Sequence, residues 1–211
     1  MTTTGWTELT TETELRALLG TPSGGAVRKE RDHLHDLDLA WIAASPFLLM
    51  ATSAADGTCD VSPKGDPAGF VHVLDDRTLV VPERPGNRRA DGWANVLSNP
   101  HVGLIFLVPG RIDTLRVNGR ARLVSDAPFF DELVVKGHRP LLALVVEVEQ
   151  VFHHCGKAFL RSQLWDPESW GGHDLPTRAV IARTLERPDA DPDELERYYG
   201  PSYAENLYHQ P

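Results

Sequence analysis

The sequence predicts an α+β fold in which six or seven antiparallel strands and one inserted helix form a closed or nearly closed barrel. Three observations support this class. Short apolar segments recur from Phe47 to about Val151, as expected of strands. The Asp56-Gly57 dipeptide between two of them is typical of a hairpin turn. One helical pattern, beginning at Arg88, interrupts the series.

Two helices are predicted before the strands. Thr11 and Glu14 form a capping box at the start of the first helix, which ends at Gly20. The second helix covers about residues 36–44 and ends before Pro46. Between them, the charged segment 28–35 is interpreted as a solvated loop.

The strands and the remaining helices follow in order. Apolar runs and turn residues place strands at 47–53, 58–62, 69–74, 77–81, 102–108, 113–124 and 141–152. A short helix capped by Asp126 is predicted at 127–133. The proline-punctuated tail contains two helical patterns, at 177–185 and 193–199.

Composition narrows the function classes. The net charge of −9 and the pI of about 5.4 argue against nucleic acid as a partner, because there is no basic surplus to neutralise phosphates. No apolar run approaches the ~20 residues of a membrane helix, so no membrane association is expected. The N-terminal residues lack signal-peptide features, and we therefore expect a cytoplasmic protein. Cys59 and Cys155 are expected to be small buried hydrophobes rather than a disulfide.

The segment from Pro82 to Pro100 carries the main functional signal. Asn87 is a good N-cap, which would place Arg88 and Arg89 in the first turn of a helix. Cations are normally disfavoured there, and a bound anion, best a phosphate, would resolve the conflict. The alternative is a solvated helix start with two surface arginines.

Three segments together resemble a known family. They are Asn87-Arg88-Arg89-Ala90 followed by Ser98-Asn99-Pro100 and a strand, the segment 114–121 ending in Gly-Arg-Ala, and the segment 60–66. The first resembles the FMN phosphate-binding segment of the pyridoxamine 5′-phosphate oxidase family. The resemblance covers about residues 41–165 and is strongest to a bacterial branch of FMN-binding split-barrel proteins, not to the vitamin B6 enzyme itself.

The resemblance implies a split β-barrel that forms a homodimer, with FMN in each of two clefts between the subunits. It divides the chain into an N-terminal helical extension at 1–45, an FMN-binding split barrel at 46–165 and a C-terminal helical arm at 166–211, within a single domain overall.

The resemblance also assigns candidate cofactor-binding residues. The phosphate candidates are Arg88 and Arg89, with Asn87 shaping the turn and Arg84 as a weaker third. The residues expected at the edge of the flavin ring are Ser62, Pro63, Lys64 and Gly65. Backbone groups are expected from Val80, Val81 and Pro82. The strand expected to contact phosphate and ring contributes Thr114, Leu115 and Arg116. The segment expected to reach the cofactor from the partner subunit contributes Lys157, Phe159, Arg161, Ser162, Leu164 and Trp165.

Two of these groups have plainer interpretations. A cation at Lys64 near N1 and O2 of the ring would stabilise the negative charge of reduced flavin, but Lys64 is alternatively a surface lysine in a turn. The aromatic residues of segment 157–165 alternatively only pack in an interface. His153-His154-Cys155 invites a metal, but no second ligand cluster has zinc spacing, so no metal is predicted.

These observations predict an FMN-dependent oxidoreductase that passes hydride or electrons from a reduced donor to oxygen or a small acceptor. Its catalytic residues and its small-molecule substrate are not identified. Two alternatives stay open: a deazaflavin-dependent reductase on the same barrel, and a non-catalytic flavin or haem carrier or sensor.

Overall fold

The computed structural model describes residues 5–171 and 174–208. The chain divides into two compact units, Met1–Glu30 and Arg31–Pro211. The first unit holds helix α1 (Glu12–Leu19) and helix α2 (Gly24–Arg28). The Thr11–Glu14 capping box and the end of α1 at Gly20 are confirmed. Helix α2 was not predicted from the sequence.

The second unit contains the sheet and five helices of α type. In chain order these elements are α3 (Asp36–Ala44), β1 (Phe47–Ser53), β2 (Cys59–Gly65), β3 (His72–Asp75), β4 (Thr78–Pro82), α4 (Asp91–Ser98), β5 (His101–Leu107), β6 (Thr114–Val124), β7 (Ala143–His154), α5 (Lys157–Ser162), α6 (Arg178–Leu185) and α7 (Pro192–Tyr198). Short 3₁₀ helices lie at Pro128–Leu133, Pro167–Ser169 and Pro201–Asn206.

The seven strands form one antiparallel sheet in the order β2-β1-β5-β6-β7-β4-β3. The α+β class and the seven antiparallel strands are therefore confirmed. β2 and β3 are the two edges, and within the described residues these edges do not pair with each other. The sheet is thus open rather than closed into a barrel, and the gap between its edges is important for the candidate site.

A continuous apolar core lies on one face of the sheet. Strand residues alternate between buried and exposed, as the period of two requires. The inward-facing core residues of the strands are Leu48, Met50, Leu79, Val81, Val102, Leu104, Phe106, Leu115, Val117, Ala121, Leu144, Val146, Val148 and Val151. Trp93 and Val96 of α4 belong to the same core. A smaller cluster on the other side of β4 and β7 includes Val80 and Phe130.

A buried carboxylate fixes the start of the second unit. The Asp38 side chain is only 1% exposed and accepts from Arg31 Nη2 at 3.0 Å and from the His35 backbone N–H at 2.8 Å. His153 Nε2 lies 3.2 Å from Asp38 Oδ1. Burial by itself would raise the pKa of Asp38, but these donors, led by Arg31, hold it below the ordinary value. Because Arg31 also bridges to Val151, the prediction of a solvated loop over 28–35 is wrong at this residue.

Gly119 allows β6 and β7 to approach closely. The register of the two strands shifts at Asn118 and Gly119, as in a β-bulge. A Cβ atom at Gly119 would lie 2.0 Å from the Glu147 carbonyl oxygen, so no larger residue fits without moving the backbone. The glycine of the Gly-Arg-Ala motif therefore has a packing role.

Several local predictions need correction. β2 continues to Gly65 instead of ending at Ser62, and β3 begins at His72 instead of residue 69. The helix predicted at 127–133 is a 3₁₀ helix without a side-chain cap, since Asp126 instead accepts from Arg139. Cys59 and Cys155 are both exposed, so their prediction as buried residues is wrong. Within residues 5–171 and 174–208, no helix is long and apolar enough to cross a membrane.

Candidate functional site

An open cleft of about 480 Å³ lies beside β2, one of the two edges of the sheet. One wall is β2 and the other is the segment that joins β4 to α4. The residues that line it are Asp60, Ser62, Lys64, Glu83, Arg84, Gly86, Asn87, Arg88, Arg89, Ala90, Asp91, Gly92, Trp93 and Leu142. The cleft therefore joins two segments that the sequence had nominated separately, and it brings together six candidate residues: Ser62, Lys64, Arg84, Asn87, Arg88 and Arg89.

The two arginines lie in a loop and not in a helix. Helix α4 begins at Asp91, and its N-cap is Ala90 in the left-handed conformation, φ 56°. Arg88 also has a positive φ of 60°. The prediction of a helix from Arg88 capped by Asn87 is therefore wrong, because left-handed residues cannot continue an α-helix. Asn87 does shape the turn, since its Oδ1 accepts from the Arg89 backbone N–H at 3.1 Å.

Arg89 is an exposed cation of this loop. Its side chain is 75% exposed, and its Nε donates to Asp91 Oδ2 at 2.7 Å. Such a solvated pair contributes little to stability. A ligand phosphate can therefore compete for this guanidinium at small cost.

Lys64 occupies the inner part of the cleft. It is half-buried, and its Nζ lies 4.8 Å from the centroid of the Trp93 ring. Burial lowers the pKa of Lys64, while the nearby carboxylates of Glu83 and Asp60 act in the opposite direction. Lys64 is therefore not the surface lysine of the alternative interpretation but a partly dehydrated amine facing the cleft.

Ser62 holds an unsatisfied polar atom beside the same cleft. Its Oγ is buried and has no hydrogen-bond partner among the described residues. A buried hydroxyl without a partner costs free energy, and in native proteins such atoms usually bond to protein, water or a ligand. Ser62 and Lys64 share a face of β2, so one ligand can contact both.

Carboxylates balance the charge of the cleft. Burial raises the pKa of Glu83, although Lys64 and Arg84 counteract this effect. Asp60 lies against the start of α4, where a Cβ atom on Gly92 would be 2.7 Å from Asp60 Oδ2. The cleft therefore holds four cationic side chains and three acidic ones: Lys64, Arg84, Arg88, Arg89, Asp60, Glu83 and Asp91.

Arg84 links the two sides of the gap in the sheet. Its Nε donates to Asp66 Oδ2 at 2.5 Å, just after β2, and its Nη2 donates to the Leu133 carbonyl at 2.8 Å. The Arg84 side chain is 14% exposed and that of Asp66 is 1% exposed. Arg84 is thus held by the protein and does not point freely into solvent, which makes it a poorer phosphate ligand than the exposed Arg89.

Several other candidates do not face this cleft with their side chains. Pro63 and Gly65 lie on the opposite face of β2. Five further candidates are buried residues of β4 and β6, and none of them lines this cleft: Val80, Val81, Pro82, Thr114 and Leu115. The pairing of β3 with β4 ends at Val80, so it does not extend to the candidates Val81 and Pro82. Arg116 extends over the Phe152 ring, 5.5 Å from its centroid, and its Nε donates to Asn118 Oδ1 at 3.3 Å.

The segment that was expected to act across a dimer packs at the β5–β6 turn of its own chain. Trp165 Nε1 donates to the Arg111 carbonyl at 2.7 Å, and its ring stacks on Phe159 with centroids 6.0 Å apart. None of its six candidates lines the cleft described above: Lys157, Phe159, Arg161, Ser162, Leu164 and Trp165. Their role toward a cofactor remains a prediction.

Sequence reasoning missed part of the lining. Asp60 could have been found, because it shares the period-two face of Ser62 and Lys64. Trp93 follows the arginine loop closely enough to have been considered. Leu142 carried no local signal, since only the pairing of β4 with β7 brings it to the cleft.

Comparison with known proteins identifies the class to which this fold and cleft belong. The family profile described as pyridoxamine 5′-phosphate oxidase matches residues 34–155, more than half of the chain. The chain therefore belongs to this family, which is of the flavin-binding oxidoreductase type. A search of curated proteins found no match.

Several solved structures are similar to the chain. HupZ of Group A Streptococcus is 17% identical with a TM-score of 0.46, over 57% of this chain and 93% of that one. A putative pyridoxamine 5′-phosphate oxidase of Lactobacillus delbrueckii is 23% identical with a TM-score of 0.46, over 58% and 95%. An FMN-binding protein of Syntrophomonas wolfei is 12% identical with a TM-score of 0.42, over 67% and 95%.

Proposed function

We propose that the protein is an FMN-dependent oxidoreductase that works as a homodimer on a small-molecule substrate. The observation that carries this proposal is the cleft itself. It combines an unpartnered buried hydroxyl at Ser62, a partly dehydrated amine at Lys64 and the cationic loop of Arg88 and Arg89. A flavin mononucleotide needs this set: donors for a phosphate and polar groups beside a planar ring.

The residues of the cleft fit the parts of FMN. The loop guanidiniums suit a phosphate, which they can bind with paired hydrogen bonds. Ser62 Oγ would gain a hydrogen-bond partner, and Lys64 would hold a positive charge against the electron-rich edge of the ring. When bound, FMN supplies the hydride chemistry. The chain itself binds and orients the cofactor and shields it with Trp93.

An apolar outer sheet face supports the homodimer. We define this outer sheet face by the outward residues of the three adjacent strands β2, β1 and β5, which are Val61, Pro63, Phe47, Leu49, Ala51, Gly103, Ile105 and Leu107. Phe47 and Ile105 are each 37% exposed and Val61 is 62% exposed. Contiguous apolar surface of this kind is typical of protein interfaces.

Titration of purified protein with FMN tests the proposal. Arg88→Gln and Arg89→Gln should each weaken FMN binding about tenfold, because each removes a charge-assisted hydrogen bond to phosphate. Arg122→Gln is the matched control, since Arg122 is exposed on β6 outside the cleft. If both loop variants bind FMN as tightly as wild type, the phosphate assignment is wrong.

Two further measurements separate the alternatives. A deazaflavin cofactor and FMN share a phosphate and a tricyclic ring, so the affinities of the protein for the two must be compared. If the deazaflavin binds more tightly than FMN, it takes the place of FMN in the proposal. A protein that binds FMN but is not reduced by NADH, NADPH or any other donor would instead be a carrier or sensor.

A further inference from the structure

The C-terminal segment reaches the margin of the candidate site. The Tyr208 hydroxyl donates a hydrogen bond to the Asp66 carboxylate, across 142 residues of sequence. The Tyr208 ring stacks on His138 with centroids 5.6 Å apart, and Lys136 Nζ lies 5.3 Å from its centroid. Tyr208 is therefore anchored both through its ring and through its hydroxyl.

The acceptor of this hydrogen bond is the carboxylate that also holds Arg84. Asp66 is almost completely buried and receives Arg84 Nε on one oxygen and Tyr208 on the other. A buried carboxylate depends strongly on each of its donors, because a lost donor leaves charge that water cannot reach. Burial and the bond to Asp66 raise the pKa of Tyr208, so the phenol keeps its proton and stays a donor at neutral pH.

Arg84 lines two cavities. On one side is the cleft with Ser62 and Lys64. On the other is a pocket of about 300 Å³, of which Tyr208 and His138 form part. Glu83 and Arg84 line both, and Pro85 continues directly into the arginine loop. A shift of Arg84 therefore moves the rim of the cleft.

We propose that Tyr208 is a positioning residue for the cleft: by completing the Tyr208–Asp66–Arg84 chain of hydrogen bonds, it couples the seating of the C-terminal segment to ligand binding between β2 and α4. This inference rests on the proposed function in that FMN is the ligand. Coupling of this kind is reciprocal. If the Tyr208–Asp66 contact increases the affinity for FMN by some factor, bound FMN must favour that contact by the same factor.

The first test compares FMN dissociation constants of Tyr208→Phe and wild type. The phenylalanine ring keeps the stack on His138 and loses only the hydroxyl. We expect the dissociation constant to rise about fivefold or more, in the ordinary range of coupling between sites. Tyr203→Phe is the control, because Tyr203 lies in the same C-terminal arm, is 52% exposed and lines neither cavity.

A second readout distinguishes coupling from simple packing of the tail. Hydrogen exchange of the backbone amides at Leu207 and Tyr208 should slow when FMN is added to wild type, and this slowing should disappear in Tyr208→Phe. In Asp66→Asn the slowing should also be lost, because Arg84 then has no charged acceptor.

The outcomes are separable from those of the proposed function. If wild type binds FMN and Tyr208→Phe binds it equally well, or if FMN leaves the exchange at Tyr208 unchanged, the coupling is overturned and the FMN proposal stands. If wild type binds no FMN, both fall.

Discussion

At the scale of single residues, the cleft keeps polar groups where an apolar residue would pack better. Lys64 sits beside Trp93 with its pKa lowered by burial, and Ser62 Oγ has no partner among the described residues. Both features lower stability. Such costs are typical of binding sites, where groups are held ready for a ligand.

Replacing Lys64 tests whether this residue lowers stability and contributes to FMN binding. Lys64→Met keeps the length of the side chain and removes the charge, so the free energy of unfolding should stay equal or rise by up to about 1 kcal/mol, a figure reduced for partial exposure. FMN binding should weaken about tenfold, or about 1.4 kcal/mol. Urea unfolding and FMN titration measure the two effects, with Arg122→Met, exposed on β6 and outside the cleft, as control. A variant that loses stability and keeps its FMN affinity would contradict the account.

Asp38 gives a prediction on pH. Because its pKa in the folded protein lies below the ordinary value of 3.8, its contribution to stability is complete above about pH 4 and is lost as the pH falls through the folded pKa. Asp38→Asn should lower the free energy of unfolding by about 1–3 kcal/mol at pH 7 and by much less near pH 2. Urea unfolding at both pH values checks this. An equal loss at both would show that the carboxylate charge is not responsible.

Part of the candidate site could be predicted from the residue types in the sequence. Ser62, Lys64 and the two arginines could be nominated because the family resemblance and the chemistry of phosphate agree on them. The pairing of Arg84 with Asp66 could not, since it joins segments that are distant in sequence and meet only through the sheet topology.

At the scale of elements, the loop before α4 is the part that sequence reasoning placed wrongly. Asn87 has the chemistry of an N-cap, but the actual N-cap is Ala90, and neither Arg88 nor Ala90 is a residue type that favours a positive φ. The strands were predicted well because turn dipeptides and alternation are local signals. The loop depends instead on how α4 docks.

Gly92 controls that docking. A Cβ atom there would lie 2.7 Å from Asp60 Oδ2 and 3.1 Å from Met50 Cε, so the ends of these two side chains would have to give way, and Met50 is fully buried. Gly92→Ala should lower the free energy of unfolding by about 1–2 kcal/mol, since overpacking outweighs the gain of about 1 kcal/mol in helix propensity.

The control for this measurement is Gly86→Ala. A Cβ atom at Gly86 meets only the Arg84 carbonyl, at 4.0 Å, and its urea unfolding curve should stay within about 0.5 kcal/mol of wild type. If Gly92→Ala is as stable as wild type, α4 is not seated as closely as described.

At the scale of the whole molecule, the open sheet explains where the cleft lies. β2 ends the sheet on one side, and the Arg84–Asp66 pair joins the segment after β2 to the segment after β4. The sequence predicted the number and direction of the strands, but not that the sheet stays open, because closure depends on long-range geometry. The outer sheet face on β2, β1 and β5 is the apolar surface that the proposal assigns to a second subunit.

Val61→Glu tests the dimer. Placing a charge in an apolar interface should weaken dimerisation and raise the dimer dissociation constant about 100-fold, because the carboxylate would be buried without a partner. Leu37→Glu is the control, as Leu37 is 71% exposed on α3, away from the outer sheet face. Sedimentation over a range of concentrations gives both values. A Val61→Glu protein that dimerises like wild type would place the interface elsewhere.

The absorption spectrum of the purified protein, with the released cofactor identified by mass, tests the central claim most directly. The account predicts flavin absorption near ~450 nm, a property of the cofactor, and release of FMN on unfolding. If the protein purifies without cofactor, added FMN should restore the same bands. A colourless protein that takes up no FMN would contradict the assignment of the cleft as a flavin site.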